Sequence, residues 1–168
     1  MTKLQDIIQW CDQTLKSSEF KDYAPNGLQI EGKTEVRKIL DAVTASQDAI
    51  DAAIRENADL LLVHHGYFWK GEAYPITGMR GKRIKSLIQH DISLLAYHLP
   101  LDSHPSLGNN AAIADLLKLE RIEALDPSER HPIGNIGYLK QPMPVEEFKT
   151  FVSEKLKFDV THLPADKT

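Results

Sequence analysis

An apolar run, Leu61-Leu62-Val63, ends in two adjacent histidines, His64 and His65, followed by Gly66 and the aromatic cluster Tyr67-Phe68-Trp69. A short apolar run closed by a turn signal reads as a strand buried on both faces, and strands of that kind belong to parallel sheets covered by helices. Such a strand needs a parallel neighbour reached through a helical crossover, and the flanking sequence supplies two. Residues 36–44 are rich in β-formers. Ser46 is placed to cap a helix over 47–56, with Ile50 and Ile54 on its apolar face, before the central strand at 59–63. A basic helix over 80–90, with Ile84, Leu87 and Ile88 inward, then leads to a second core strand at 92–97. The expected fold class is α/β, a βαβ core sheet flanked by helices, with right-handed crossovers.

Elsewhere the pattern is plainer. Residues 2–16 carry apolar side chains at helical intervals, with Thr2 and Gln5 spaced as a capping box. Cys11 shares a face with Leu4, Ile7, Ile8 and Leu15, so a buried, inert thiol is expected. Tyr23-Ala24-Pro25-Asn26-Gly27 is turn chemistry, and Leu28 to Ile30 alternate like a short strand. A helix is expected over 109–117. Beyond residue 120 prolines and glycines bracket a short strand near 136–139. A helical stripe (Val145, Phe148, Phe151, Val152, Leu156) and a final strand at 159–163 follow. The expected division is an α/β domain over 1–120 and the start of a smaller α+β insert over 121–168.

Two sequential parallel strands lie side by side, roughly 5 Å apart. Their carboxyl ends therefore meet, which brings His64, His65, His98 and Asp102 into one neighbourhood at the edge where open α/β sheets place ligands. Neutral imidazole and carboxylate are donors for divalent metals. Alternation along a strand would send His64 and His65 to opposite faces and so to two different ions. The competing reading of the pair is one packed and one solvated imidazole. His98 is open to three roles: ligand, partner of a ligand, or general base. The aromatics 67–69 suit either a pocket wall or the core. Arg80, Lys82, Arg83 and Lys85 suit either phosphate attraction or a solvated helix face. His104 is expected to be solvated, and His90, His131 and His162 to serve surface or packing roles.

Several functions are disfavoured. A net charge of −4 lacks the basic footprint of a nucleic-acid groove. One cysteine makes no disulfide within the chain and no thiolate zinc site. No run is long enough to span a membrane and the amino terminus lacks a signal-peptide plan, so a cytoplasmic protein is expected. Dinucleotide, P-loop and nucleophile-elbow motifs are missing.

Three blocks carry a family resemblance: Tyr23-Ala24-Pro25-Asn26-Gly27-Leu28-Gln29-Ile30-Glu31-Gly32, Val63-His64-His65-Gly66-Tyr67-Phe68-Trp69-Lys70-Gly71, and His98-Leu99-Pro100-Leu101-Asp102-Ser103-His104-Pro105 with Gly108-Asn109-Asn110. In their order and spacing they closely resemble the Nif-three-like family, whose bacterial members are called GTP cyclohydrolase I type 2 homologues. The resemblance implies a dinuclear centre of two divalent ions (zinc, iron, manganese or nickel), with His64, His65 and Asp102 at ligand positions. His98 matches a position in the same motif to which the resemblance assigns no role; the expectation for it is catalytic, as a proton shuttle. It further implies a ring-shaped homohexamer, and a hydrolase acting on a nucleotide or other phosphate-bearing small molecule and linked to DNA-damage protection. The alternative is a non-catalytic metal-binding scaffold. Family members complete the two-ion site with an H-x-x-x-E pair near the carboxyl terminus. Here His131 is followed four residues later by Asn135 and His162 by Asp166. The chain is therefore expected to be a fragment or to lack the family's final βα portion, and an exposed sheet edge would favour association.

Overall fold

The computed structural model describes residues 1–164. The chain folds as two compact units, Met1–Asp102 and Ser103–Thr168. In the first, β1 (Thr2–Lys3) leads directly into α1 (Leu4–Leu15), and a 3-10 turn at Ser17–Glu19 precedes β2 (Gly27–Ile30). β3 (Glu35–Val36), β4 (Ile39–Thr44), α2 (Gln47–Arg55), β5 (Leu60–His65), α3 (Gly78–Gln89), β6 (Ser93–Ala96) and the single turn α4 (Leu99–Asp102) complete it. Strand order is β2-β6-β5-β4. β4, β5 and β6 are parallel and β2 is antiparallel on the edge, so the α/β class holds with a mixed sheet.

Side-chain alternation along β5 and β6 builds two cores. Leu61, Val63, Leu94 and Ala96 point to one face, where Ile50 and Ala53 of α2 and Ile84 and Leu87 of α3 cover them. Leu60, Leu95 and Tyr97 point to the other, against Leu4, Cys11 and Leu15 of α1. Each central strand is thus apolar on both faces, as the sequence implies. Ser46 caps α2 as expected, its Oγ accepting from Ala49 N at 3.2 Å.

Three local expectations are corrected. Thr2 and Gln5 form no capping box: Thr2 pairs with Val36 in a two-stranded ribbon, and Lys3 occupies the cap position without a side-chain bond. The β-rich stretch 36–44 is broken at Arg37 and Lys38, whose amides donate to Asp59 at 2.9 and 3.2 Å instead of to a sheet partner. Residues 159–163 carry no strand. Asp166 lies outside the described residues.

The second unit holds α5 (Asn109–Leu116), β7 (Glu120–Ala124), β8 (Asn135–Tyr138) and α6 (Val145–Leu156). β7 and β8 pair antiparallel. β7, with two charged residues at its start, has no apolar run to announce it. The boundary falls after Asp102, so α5 belongs to this unit, ahead of the change of sequence texture near residue 120. No helix among the described residues is long and apolar enough to cross a membrane.

Asp59, 7% exposed, locks the start of β5. It accepts from Lys33 Nζ at 2.8 Å as well as from the two amides. The Lys33 bond, opposed by burial and aided by the Arg37 and Lys38 amides, holds its carboxyl below the usual range. Asp59→Ala should cost about 1–3 kcal/mol in urea unfolding at neutral pH. A depressed carboxyl contributes fully above its unfolded pKa of about 3.9 and loses that contribution as pH falls through the native value. The wild-type advantage should therefore shrink on acidification below about pH 4; an advantage that stays constant to about pH 2 would contradict this role.

Candidate metal centre

β6 ends opposite Val63, its last partnered residue being Ala96. His64 and His65 therefore project past it, still held on the other side by Thr44 of β4 opposite His65. The chain leaving β6 turns through Tyr97 and His98 into α4 in the space above that end. Strand alternation does not separate the two imidazoles: their ring centroids are 4.5 Å apart. Both rings approach His98, whose centroid is 4.9 Å from His64 and 5.6 Å from His65. One nitrogen of each of the three rings lies within 4.8 Å of the others.

Each ring is oriented from behind. His64 Nδ1 is 3.0 Å from Tyr97 O, so it carries the proton and donates. His65 Nδ1 is 3.2 Å from Thr44 Oγ1. His98 Nδ1 is 2.8 Å from Asp22 Oδ1. At His64 and His98 the acceptor at Nδ1 leaves Nε2 as the open nitrogen, the arrangement in which an outer partner fixes the tautomer of a metal-binding histidine; the Thr44 hydroxyl orients His65 while serving either tautomer. Asp102 joins them with Oδ1 3.5 Å from His64 Nε2. It stands one helical turn after His98, its amide donating to His98 O at 3.1 Å, so both face the same side. Burial, then the neighbouring His64 and His98, push the His65 pKa down against the pull of Asp102. That keeps the ring in the neutral form a metal requires.

Asp22 is the residue the sequence reading missed. Its side chain is 3% exposed and accepts from four groups. His98 Nδ1 and Tyr23 N (2.6 Å) bind Oδ1, while Asn26 Nδ2 (2.9 Å) and Leu99 N (2.9 Å) bind Oδ2. Burial pushes its carboxyl up, but these hydrogen bonds outweigh it and hold the group below the usual range. Asn26 also accepts from His98 N at 2.7 Å. The signal was available in Asp22 and Asn26, four apart at a turn, where one carboxylate and one amide can serve backbone donors from afar.

The loop after β5 is braced from β2. Gln29 Oε1 accepts from Tyr67 N at 2.7 Å, and any Cβ on Gly66 would run into the Gln29 side chain. Glycine there is a steric requirement. The aromatics divide their roles. Tyr67 is buried with its hydroxyl on Ala45 O, whereas Trp69 stands edge-on to His98 at 5.0 Å and walls the cluster. The remaining histidines behave locally: His90 meets Ser86 O, His104 accepts from Ser106 and Leu107 in its own turn, His162 faces Glu146, and His131 lines a cavity in the second unit.

The family model described as Duf34/NIF3 (NGG1p interacting factor 3) matches residues 2–168. A GTP cyclohydrolase 1 type 2 homolog of Haemophilus influenzae is 52% identical over 152 residues, covering 90% of this chain and 60% of that protein. Among solved structures, protein ybgI, described as of unknown function, matches with a TM-score of 0.86 at 45% identity, covering 93% of this chain and 61% of that one. TTHA1606 from Thermus thermophilus matches at 0.82 and 34%, covering 94% and 63%. The chain thus spans about 60% of the length of the Haemophilus relative.

If Asp22 fixes the His98 tautomer, the imidazole nitrogen spectrum should show a protonated Nδ1 at His98 in the wild-type chain. In Asp22→Ala that signal should shift toward the mixed tautomers of a free ring, with about 1–3 kcal/mol of lost stability. An unchanged His98 spectrum would show that the carboxylate does not set the tautomer.

Proposed function

The chain belongs to the Duf34/NIF3 family, and from that premise we propose that it forms part of a metal-dependent hydrolase acting on a nucleotide or another phosphate-bearing small molecule. The observation that carries this reading is the convergence of three imidazoles, each with a partner at Nδ1, with the Asp102 carboxylate beside His64. The donor set suits a divalent ion: nitrogen and carboxylate oxygen in a half-buried setting at the carboxyl edge of a parallel sheet. When bound, such an ion polarises a substrate oxygen and lowers the pKa of water.

The residues of the chain divide the remaining work. His64, His65 and Asp102 would hold the metal. His98 takes a proton from water at Nε2, and Asp22, accepting from Nδ1, keeps that tautomer and stabilises the imidazolium that results. Trp69 excludes water from one side of His98. Three ligands and one base are too few to enclose two ions, so the full centre draws further donors from outside these residues. A role for such a hydrolase in DNA-damage protection follows from the resemblance described above.

We also propose self-association, as in the homohexameric ring the resemblance implies. β4 is an open sheet edge on which Ile39 and Val43 are 47% and 70% exposed, and unpaired edges of this kind favour pairing with another chain. The second reading is a non-catalytic metal-binding scaffold built on the same residues.

Metal content per chain, measured by elemental analysis on protein purified without a metal-affinity tag, separates the roles. His64→Ala, His65→Ala and Asp102→Ala should each lose most of the bound metal. His98→Gln should keep it while metal-dependent hydrolysis across a nucleotide panel falls about 10²–10⁴-fold. Full metal content in His65→Ala would sink the ligand assignment. Metal binding without turnover on any nucleotide would favour the scaffold.

A further inference from the structure

The basic stretch at the start of α3 splits into three kinds of residue. Lys82 and Lys85 are exposed and solvated. Arg80 is committed to the loop before its helix: Nη1 meets Glu72 Oε2 at 2.7 Å, and Nη2 donates to Ala73 O and Pro75 O. Arg83 is half-buried, and its Nε is shut away from solvent with no hydrogen-bond partner among the described residues. No carboxylate pairs with its guanidinium among the described residues, in contrast to Arg80.

Arg83 lines a cavity of about 170 Å³ together with Thr44, Gly66, Trp69, Glu72 and Arg80. This cavity adjoins the histidine cluster through shared walls. Thr44 holds His65 Nδ1, Gly66 follows His65 directly, and Trp69 packs on His98. Glu72 is the acidic group in the lining, and its carboxylate is already engaged by Arg80 and by Trp69 N at 3.1 Å. The Tyr67 hydroxyl in the same wall donates to Ala45 O, and burial pushes its pKa up to about 12, so it stays neutral. Two guanidinium groups against one carboxylate leave the cavity with an excess positive charge that belongs to Arg83.

We propose that this cavity is an anion subsite in which Arg83 binds a phosphate group of the substrate beside the metal centre. The cavity is small against the roughly 300–1,000 Å³ of a pocket for a whole ligand, so it takes a phosphate and leaves the rest of the molecule over the cluster. Guanidinium suits this task because it stays charged and matches phosphate oxygens with paired donors. The inference deepens the hydrolase reading and rests on it for the identity of the ligand, yet the subsite itself needs no metal.

The test uses inorganic phosphate on metal-stripped chain, with binding read by calorimetry and by the shift in thermal midpoint. Wild type should bind phosphate and sulfate competitively, and Arg83→Gln should weaken phosphate at least tenfold, the size expected for losing a charge-assisted contact. Metal content measured on the same variant should remain at the wild-type level. Phosphate binding equal in wild type and Arg83→Gln, or binding that appears only when metal is restored, or no binding to either form, overturns the subsite. If Arg83→Gln does not fold, Arg83→Lys carries the test, with weakened but measurable phosphate binding expected and unchanged binding fatal to the proposal. Loss of metal in His65→Ala with phosphate binding intact supports the subsite; retention of metal there defeats the metal centre and leaves the phosphate result to stand alone.

Discussion

The parallel register of β5 on β6, from Leu60 opposite Ser93 to Val63 opposite Ala96, places everything the candidate site contains. It is held by two cores, because alternate residues of both strands are buried against α2 and α3 on one face and against α1 on the other. A slip of one residue would exchange the two faces of a strand. The same register lets β5 outrun β6, so that His64 and His65 stand over the open end and the chain returning from β6 delivers His98 and Asp102 to them. The site is a consequence of unequal strand lengths at the carboxyl edge.

A second layer of constraint comes from outside the two strands. Asp22, Asn26 and Gln29 all lie in or before β2, the antiparallel edge strand next to β6. Asp22 and Asn26 bind the backbone and ring at His98, while Gln29 binds the backbone after Gly66. One short polar segment thus fixes both halves of the cluster. Tyr97 carries the brace further, its hydroxyl donating to Asp12 Oδ1 of α1 at 3.0 Å. The positions of the imidazoles are therefore set by buried hydrogen bonds with few alternatives, as preorganisation for metal binding demands.

Most of the sheet was legible in the sequence because burial writes a pattern. The apolar runs at 61–63 and 92–97 marked the core strands, and the four-residue spacing of Ile50 and Ile54 marked α2. Adjacency of sequential parallel strands was then enough to bring His64, His65, His98 and Asp102 together. Elements without a buried stripe were not legible: β7 is largely exposed, and β1 with β3 pairs only two residues a side. At the site, strand alternation did not foresee that the two imidazoles pack together, because it fixes the direction of each Cβ and leaves the side-chain torsions to place the rings. Asp22 was hidden for a related reason. Its importance lies in partners more than seventy positions away: the spacing of Asp22 and Asn26 at a turn signals a pair able to serve distant donors, but not which donors those are. Arg83 sat within a recognised basic stretch, but which of its cations was already neutralised depends on Glu72 and the folded loop.

If His64, His65 and Asp102 form a metal-binding centre above the end of β6, anomalous diffraction from crystals of the protein grown with manganese, recorded on both sides of the metal edge, will locate the ion there. A strong peak is expected within about 2.0–2.3 Å of an imidazole Nε2 and an Asp102 oxygen, with His98 still bound to Asp22 through Nδ1. A crystal whose anomalous peaks lie elsewhere, with the three imidazoles bridged only by water, would contradict it.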